Sequence, residues 1–417
     1  MTTGGRFRGG DVGVVATVSM AEQELQARRL WTSVLLLVCA QVAVLSLWFS
    51  AASVMPGLAA AHGLSTSALA GLATATQLGF VAGALWFGVT GWPDRFDPRR
   101  LFFTCALLAS GANVVILFVR PDTALAWLSR FGVGAALAGV YPVGLKIAVG
   151  SSVKRRGFIV SALVGALTLG SASPHLVALL GGSNAGRTLV TTSIMGALGG
   201  ALILFTRLGP FHRPAAAFRA RSLSVAWTNT GIRRAYLGYF GHMWELYALW
   251  GWLGIAASAA AADSPHATRF GSAIAFLAIG AGAFTCLLGG LVADRRGKAF
   301  VARTAMTLSG LSGVTAALTF QASPWLLGAV LIVWGATVIP DSPQFSALVA
   351  DHAPPELAGS LMTFQTAIGF GISAVSVQTV PLIAESVGWP GAFLVIACGP
   401  VAGLLGLGRG PHTSPSA

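Results

Sequence analysis

The sequence predicts an all-α integral membrane protein of twelve transmembrane helices, arranged as two pseudo-symmetric six-helix bundles. Three observations carry that prediction. Of 417 residues, 55% are hydrophobic and 9% charged, with a mean hydropathy of +0.75, whereas soluble domains carry roughly a quarter charged residues. The apolar residues gather into long segments divided by short polar gaps. Two gaps are basic hairpins, one bearing Asp94, Arg95, Arg99 and Arg100 and the other Asp294, Arg295, Arg296 and Lys298, and their first aspartates stand 200 residues apart.

A spanning helix needs roughly 20 mainly apolar residues. Candidates run over 31–54, 68–89, 101–119, 124–149, 157–180, 188–206, 235–261, 270–292, 302–320, 325–349, 358–383 and 388–408. They divide the chain into an N-terminal segment over 1–29, a first bundle over 30–206, a linker over 207–234, a second bundle over 235–408 and a tail over 409–417. The first 29 residues hold three acids and four arginines without a long apolar core, which predicts a helix-start anchor rather than a cleaved signal.

Charge orients the spans. The gaps assigned to one side carry Arg6, Arg8, Arg28 and Arg29, then Arg95, Arg99 and Arg100, then Lys154, Arg155 and Arg156, six arginines between 207 and 234, Arg295, Arg296, Lys298 and Arg303, and finally Arg409. The opposite loops carry only Arg120, Arg187 and Arg269. This positive-inside bias places both termini in the cytoplasm of a multi-pass protein, expected in a bacterial cytoplasmic (inner) membrane. The gap over 350–357 dissents, with Asp351 and Glu356 and no basic residue, but acids weigh little in the rule. The linker, with Arg213, Arg219 and Arg221, reads as a part-amphipathic segment attracted to anionic lipid. A net charge of +13 distributed over such gaps is no nucleic-acid footprint.

The halves echo each other again in their fourth and tenth spans. Tyr141, Pro142 and Lys146 in one answer Pro340, Asp341, Pro343 and Gln344 in the other, at an offset of about 200. Similar halves with proline-interrupted helices at matching positions point to secondary transport, with the binding site at the repeat interface.

Gly290, Asp294, Arg295, Gly297 and Lys298 match the loop signature of the major facilitator superfamily, which the chain resembles over residues 30–408. The first copy keeps Asp94, Arg95, Arg99 and Arg100, with Thr90 and Asp97 where the pattern has glycines. Arg130, Gly132 and Gly134 resemble the family's arginine-glycine signature, and Gly170 to Pro174 loosely resembles a glycine-proline pattern more typical of antiporters. The resemblance implies the major facilitator fold, two bundles around a central path that alternates between inward-open and outward-open states. It names no solute.

Asp94, Arg95, Arg99, Asp294, Arg295 and Lys298 are the gate candidates, since a carboxylate at the inner end of a span can take bonds from a helix N-terminus and pair with Arg95 or Arg295. Solvated loop charge is the plain alternative. For the substrate path or proton coupling the candidates are Gln41, Arg130, Tyr239, His242, Glu245, Asp341, Gln344 and Gln365. Arg130 lies roughly 9 Å into its span, where an arginine must snorkel, find a carboxylate or carbonyl, or face water. His242 and Glu245 are three apart on one helical face, roughly 10 to 15 Å deep. Apolar burial favours the neutral carboxyl, whereas Arg130 or protonated His242 nearby favours the carboxylate. A carrier can use that competition. Asp341 and Gln344 flank helix-breaking prolines, which marks either a solute contact or support for the break. Gln41 and Gln365 sit in spans that line the path in the resembled family, or else act as interhelical glue.

Cys39, Cys105, Cys286 and Cys398 lie in apolar sequence without paired or metal-like spacing, and no histidine or cysteine supports His242 in a metal site. No nucleotide-binding loop is evident, so direct ATP-driven transport is not expected, and no compact nucleophile and base constellation appears, so enzyme chemistry is not expected either. The expected function is secondary transport of a small organic solute by alternating access, with a transmembrane proton gradient and no cofactor. Expected partners are that solute and membrane lipids. The residues equally allow a gradient-independent facilitator, a drug or metabolite exporter, or a non-transporting receptor on a carrier scaffold, and leave the oligomeric state open.

Overall fold

The computed structural model describes residues 20–151, 156–181, 184–209, 211, 222–354 and 357–408. Expectations resting on Arg6, Arg8, Lys154, Arg155, Arg213, Arg219, Arg221, Glu356 and the 409–417 tail fall outside those residues. All regular structure among the described residues is helical.

The first long run is broken. α1 (Met20–Leu45) and α2 (Ser50–His62) are separated at 46–49 without proline or glycine. Ser46 donates to the Ala43 carbonyl at 2.7 Å and Ser50 to the Leu47 carbonyl at 2.9 Å, local bonds that compete with the helical ladder. α3 (Thr66–Thr90), α4 (Trp92–Arg95) and α5 (Pro98–Val114) build the first hairpin. Its left-handed turn falls on Gly91, φ 66°, while Asp97 caps α5 by accepting from the Arg99 N–H at 2.9 Å. Thus Thr90 and Asp97 replace glycines of the signature without strain, because the hairpin turns one residue after Thr90. In the second hairpin the signature glycine itself, Gly297, takes φ 89° between α12 (Ala267–Arg296) and α13 (Lys298–Thr319).

Between the hairpins lie α6 (Ala124–Leu137), α7 (Tyr141–Val149), α8 (Arg156–Leu180), α9 (Ala185–Ile203), α10 (Ser222–Thr228) and α11 (Thr230–Ala260). The chain closes with α14 (Pro324–Val338), α15 (Ser342–His352) and α16 (Ala358–Leu407), the last being two helices across Gly388 at φ 81°. α7 and α15 each open with a proline in the first turn, where its missing N–H leaves nothing unpaired.

Eight helical stretches among the described residues are long and apolar enough to cross a membrane, where the sequence predicts twelve. α9, α11 and α13 fall outside that set, and α16 enters it as one stretch. The reason is composition: α9 and α13 are rich in hydroxyl side chains, and α11 buries His242 and Glu245. All three still pack into the bundle. α8 packs along α12, α3 along both α6 and α16, and α11 along α16. A methyl on Gly134 would overlap the Thr76 carbonyl, so α6 and α3 approach as closely as they do only because that residue has no side chain. Gly132, by contrast, has room for one.

Candidate functional site

A cavity of about 890 Å³ is enclosed by α3, α7, α8, α11, α12, α15 and α16. It runs from Tyr247 and Phe370 at one end to Asp94, Lys146, Asp294 and Lys298 at the other. Of the residues singled out in the sequence, Tyr239, Gln344, Asp94, Asp294 and Lys298 line it; Gln41, Arg130, His242, Glu245, Asp341 and Gln365 do not. Tyr141, Tyr247 and Phe370 line it without having been singled out for that role. Their signal was available: the chain has only four tyrosines, and three converge here.

The end at Tyr247 is shut by rings from four spans. Trp48 lies 4.9 Å from Phe80, 5.4 Å from Tyr247 and 5.4 Å from Phe370 between ring centroids. Phe80 and Phe370 approach to 4.3 Å, and Phe49 reaches Tyr247 at 6.1 Å and Trp250 at 5.9 Å. Such offset and edge contacts favour a packed aromatic lid over an open path.

Trp48 and Phe49 belong to the break between α1 and α2, and Arg130 holds that break. Its guanidinium donates to the carbonyls of Leu47 at 3.1 Å and Trp48 at 2.9 Å, and to Asn113 Oδ1 at 2.7 Å, Thr76 Oγ1 at 3.2 Å and Ser50 Oγ at 3.3 Å. The side chain is 1% exposed. Among the described residues no carboxylate pairs with it, and the negative end of α1 stands in for one. Glu245, which the sequence left open as a neighbour of Arg130, is not among these partners.

Glu245 faces away from the cavity. It accepts from Trp334 Nε1 at 2.6 Å and Ser309 Oγ at 3.0 Å, donors supplied by α14 and α13. His242, one turn earlier on α11, approaches Asp341 instead: Nδ1 lies 2.9 Å from Oδ1, both side chains at most 1% exposed, and the imidazole Nε2 has no hydrogen-bond partner among the described residues. The two atoms are close without being aligned as a hydrogen bond, and the contact is an ion pair only when the imidazole carries a proton on both nitrogens. Asp341 occupies the break between α14 and α15, and its neighbours Ile339, Ser342, Pro343 and Gln344 line the cavity. His242, Glu245 and Asp341 thus form a buried ionisable trio directly behind the cavity wall.

Gln41 and Gln365 are fully buried, with amide groups that make no hydrogen bond among the described residues. Gln41 packs against Gly144 of α7.

The charged end differs from expectation in its partners. Asp94 pairs with Lys146 of α7 at 2.5 Å rather than with Arg95 or Arg295, which are exposed. Lys146 also donates to the Pro93 carbonyl at 2.6 Å. In the second hairpin Lys298 pairs with Asp351 at the end of α15 at 2.5 Å, while Asp294 is exposed at the cavity mouth. The two joints therefore carry the same kind of bridge with opposite polarity. Arg99 binds Asp97 at 2.7 Å and donates to the Thr206 carbonyl at 3.1 Å, tying α5 to the end of α9. That guanidinium holds the Asp97 carboxyl below the usual carboxylate range. Among the described residues no cluster of three or more His, Cys, Asp or Glu side chains suited to a metal ion forms.

The family profile described as Major Facilitator Superfamily matches residues 37–377. The putative uncharacterized transporter YgaY of Escherichia coli (strain K12) is 34% identical over 112 residues, 26% of this chain and 26% of that one. The chain thus spans about a quarter of the length of the curated relatives it matches. Among solved structures, the xylose transporter XylE from E. coli, in a partially occluded inward open conformation, superposes with a TM-score of 0.70 at 12% identity over 90% of this chain and 98% of that one. The nucleoside transporter NupG gives a TM-score of 0.67 at 13% identity over 90% of this chain and 98% of that one. These two likenesses are of fold.

Proposed function

The chain belongs to the Major Facilitator Superfamily, and on that premise we propose that it is a secondary transporter that moves a small organic solute across a bacterial cytoplasmic membrane by alternating access, driven by a proton gradient. The observation that carries this reading is the cavity itself, shut at one end by the aromatic lid and reaching the two charged joints at the other. Joining the eight apolar stretches to α9, α11, α13 and the second arm of α16 makes twelve spans, six over 30–206 and six over 235–408. The basic joints lie on the cytoplasmic side with both termini. In that orientation the cavity faces inward, and transport requires the lid to part as the joints close.

Coupling is assigned to the trio behind the wall. Two carboxyls with one imidazole, and among the described residues no lysine or arginine in contact, hold a fixed charge poorly in a low-dielectric interior, so a shift of α14 and α15 around the Asp341 break changes their proton content. Arg130 acts on the lid rather than on the proton. A gradient-independent facilitator is the second reading, favoured by the trio lying behind the lining instead of on it.

The test begins with metabolite uptake and export profiling of a deletion and overexpression pair, followed by flux of the solute found in proteoliposomes. An imposed proton gradient should drive accumulation, and Asp341→Asn should abolish accumulation while keeping exchange at equal concentrations. Gradient-insensitive flux in the wild type supports the facilitator; no flux at all removes the transport reading.

A further inference from the structure

Tyrosine is scarce in this chain, four in 417 residues, yet Tyr141, Tyr239 and Tyr247 all line the cavity. Tyr141 stands on α7, and Tyr239 and Tyr247 stand about two turns apart on α11, so two helices present the three phenols to one cavity. Around them the wall is ring, thioether and aliphatic carbon, with Phe370, Met243 and Leu246, relieved by the amide of Gln344 and by neutral hydroxyls such as those of Ser161, Ser342, Thr363 and Thr366.

Among the described residues, formal charge on the lining is confined to one end, at Asp94, Lys146, Asp294 and Lys298. There Lys146 is taken by Asp94 and Lys298 by Asp351. The ionisable trio and Arg130 are at most 1% exposed and do not reach the lining. A charged solute moving to Tyr247 would lose its water and meet no opposite charge. A polyol without an apolar face would leave Phe370, Met243 and Leu246 unmatched. A ring does match them, through offset stacking and sulfur contacts. Phenols both donate and accept, so the tyrosines suit hydroxyl and carbonyl substituents alike.

We propose that the solute is a neutral, ring-bearing amphipathic molecule with hydroxyl or carbonyl substituents, its ring against Tyr247 and Phe370 and its polar groups on Tyr141, Tyr239 and Gln344. The proposal rests on the transport reading and names the solute class of that same cavity. The cavity volume, about 890 Å³, lies in the range of roughly 300–1,000 Å³ typical of small-molecule sites, which admits a fused ring carrying a sugar-sized polar part.

The test uses the full-length protein in detergent, titrated calorimetrically with three probes that share a body and differ in charge. They are 4-methylumbelliferyl β-D-glucoside, which is neutral, the corresponding glucuronide, an anion, and the corresponding glucosaminide, a cation at mildly acidic pH. The glucoside should bind saturably and at least about tenfold more tightly than either charged probe. Tyr141→Phe, Tyr239→Phe and Tyr247→Phe keep the rings and should each weaken it about two- to tenfold. A charged probe bound as tightly as the glucoside overturns the proposal. So does absence of saturable glucoside binding, or binding unchanged in all three variants. Proteoliposome flux separates the two claims: glucoside bound but never moved removes the transport reading and leaves the class, whereas flux confined to a charged probe removes the class and leaves transport.

Discussion

Arg130 reaches from α6 to the carbonyl of Trp48, 2.9 Å away, and so fixes from outside the break that carries two rings of the lid. The Leu47 carbonyl is held by the same nitrogen at 3.1 Å. A lysine in this place keeps the charge but cannot fork over two carbonyls and Asn113. Each bond lost from a charged donor contributes about 1.5–3 kcal/mol. Arg130→Lys is therefore expected to lower the melting temperature, speed hydrogen exchange over 46–49 and reduce flux roughly tenfold or more. Exchange and flux both at the wild-type level would show that the lid holds itself.

Glu245 leads to a different outcome. Its two partners donate to different oxygens, Trp334 to Oε1 and Ser309 to Oε2; a glutamine keeps an oxygen for Trp334 and turns an N–H toward Ser309, whose hydroxyl can rotate to accept it. Glu245→Gln should thus keep stability within about 1 kcal/mol while losing gradient-driven accumulation, with exchange at equal concentrations retained. Trp334→Phe removes a donor from a buried carboxyl and should cost about 1.5–3 kcal/mol, read as a fall in melting temperature. Full accumulation by the glutamine variant would move coupling to His242 and Asp341 alone.

These two cases also mark how far the sequence reaches. Long apolar runs, the prolines at 142, 340 and 343 and the basic gaps made the helical architecture readable, because each acts through its immediate chain neighbours. Gly297 was readable for the same reason. The break at 46–49 was not, since serine hydroxyls end a helix only when the tertiary fold gives the freed carbonyls a partner, here Arg130. Polar residues inside spans stand out in the sequence, but their partners do not: Glu245 meets α13 and α14 while His242 meets Asp341, because different helices pack on different faces of α11, information that spacing alone lacks. The lid rings were hidden because a Trp or Phe in an apolar run looks the same whether it faces lipid, core or path.

Asp97 supplies a prediction in pH. Arg99 holds its carboxyl below the usual range, so the pair contributes stability that is fully present above the unfolded value of about 3.9 and is lost as pH falls through the lower folded value. The amide oxygen introduced by Asp97→Asn can still cap α5, so only the ionic part disappears. At neutral pH the variant should be less stable by about 0.5–1 kcal/mol, as for other part-exposed pairs. That difference should vanish on acidification below the carboxylate range. A gap in melting temperature that persists in acid would mean the loss was of the cap and not of the pair.

The two joints invite a charge-swap experiment, since Lys146 meets Asp94 in one and Lys298 meets Asp351 in the other with acid and base exchanged between hairpin and helix. The Asp94–Lys146 contact is the better shielded, at 25% and 17% side-chain exposure against 50% and 35% for the second. Screening by water should make it the stronger pair. In a double-mutant cycle, Asp94→Asn and Lys146→Met should each lower stability, and their combination should fall short of the sum by about 1 kcal/mol. The corresponding cycle on Asp351 and Lys298 should give roughly half that coupling or less. Asp94→Lys with Lys146→Asp restores attraction but sets an acid on α7, where Lys146 also holds the Pro93 carbonyl. That swap should recover only part of the loss. Complete recovery would mean that Pro93 contributes nothing, and equal coupling at both joints would mean that burial does not rank them.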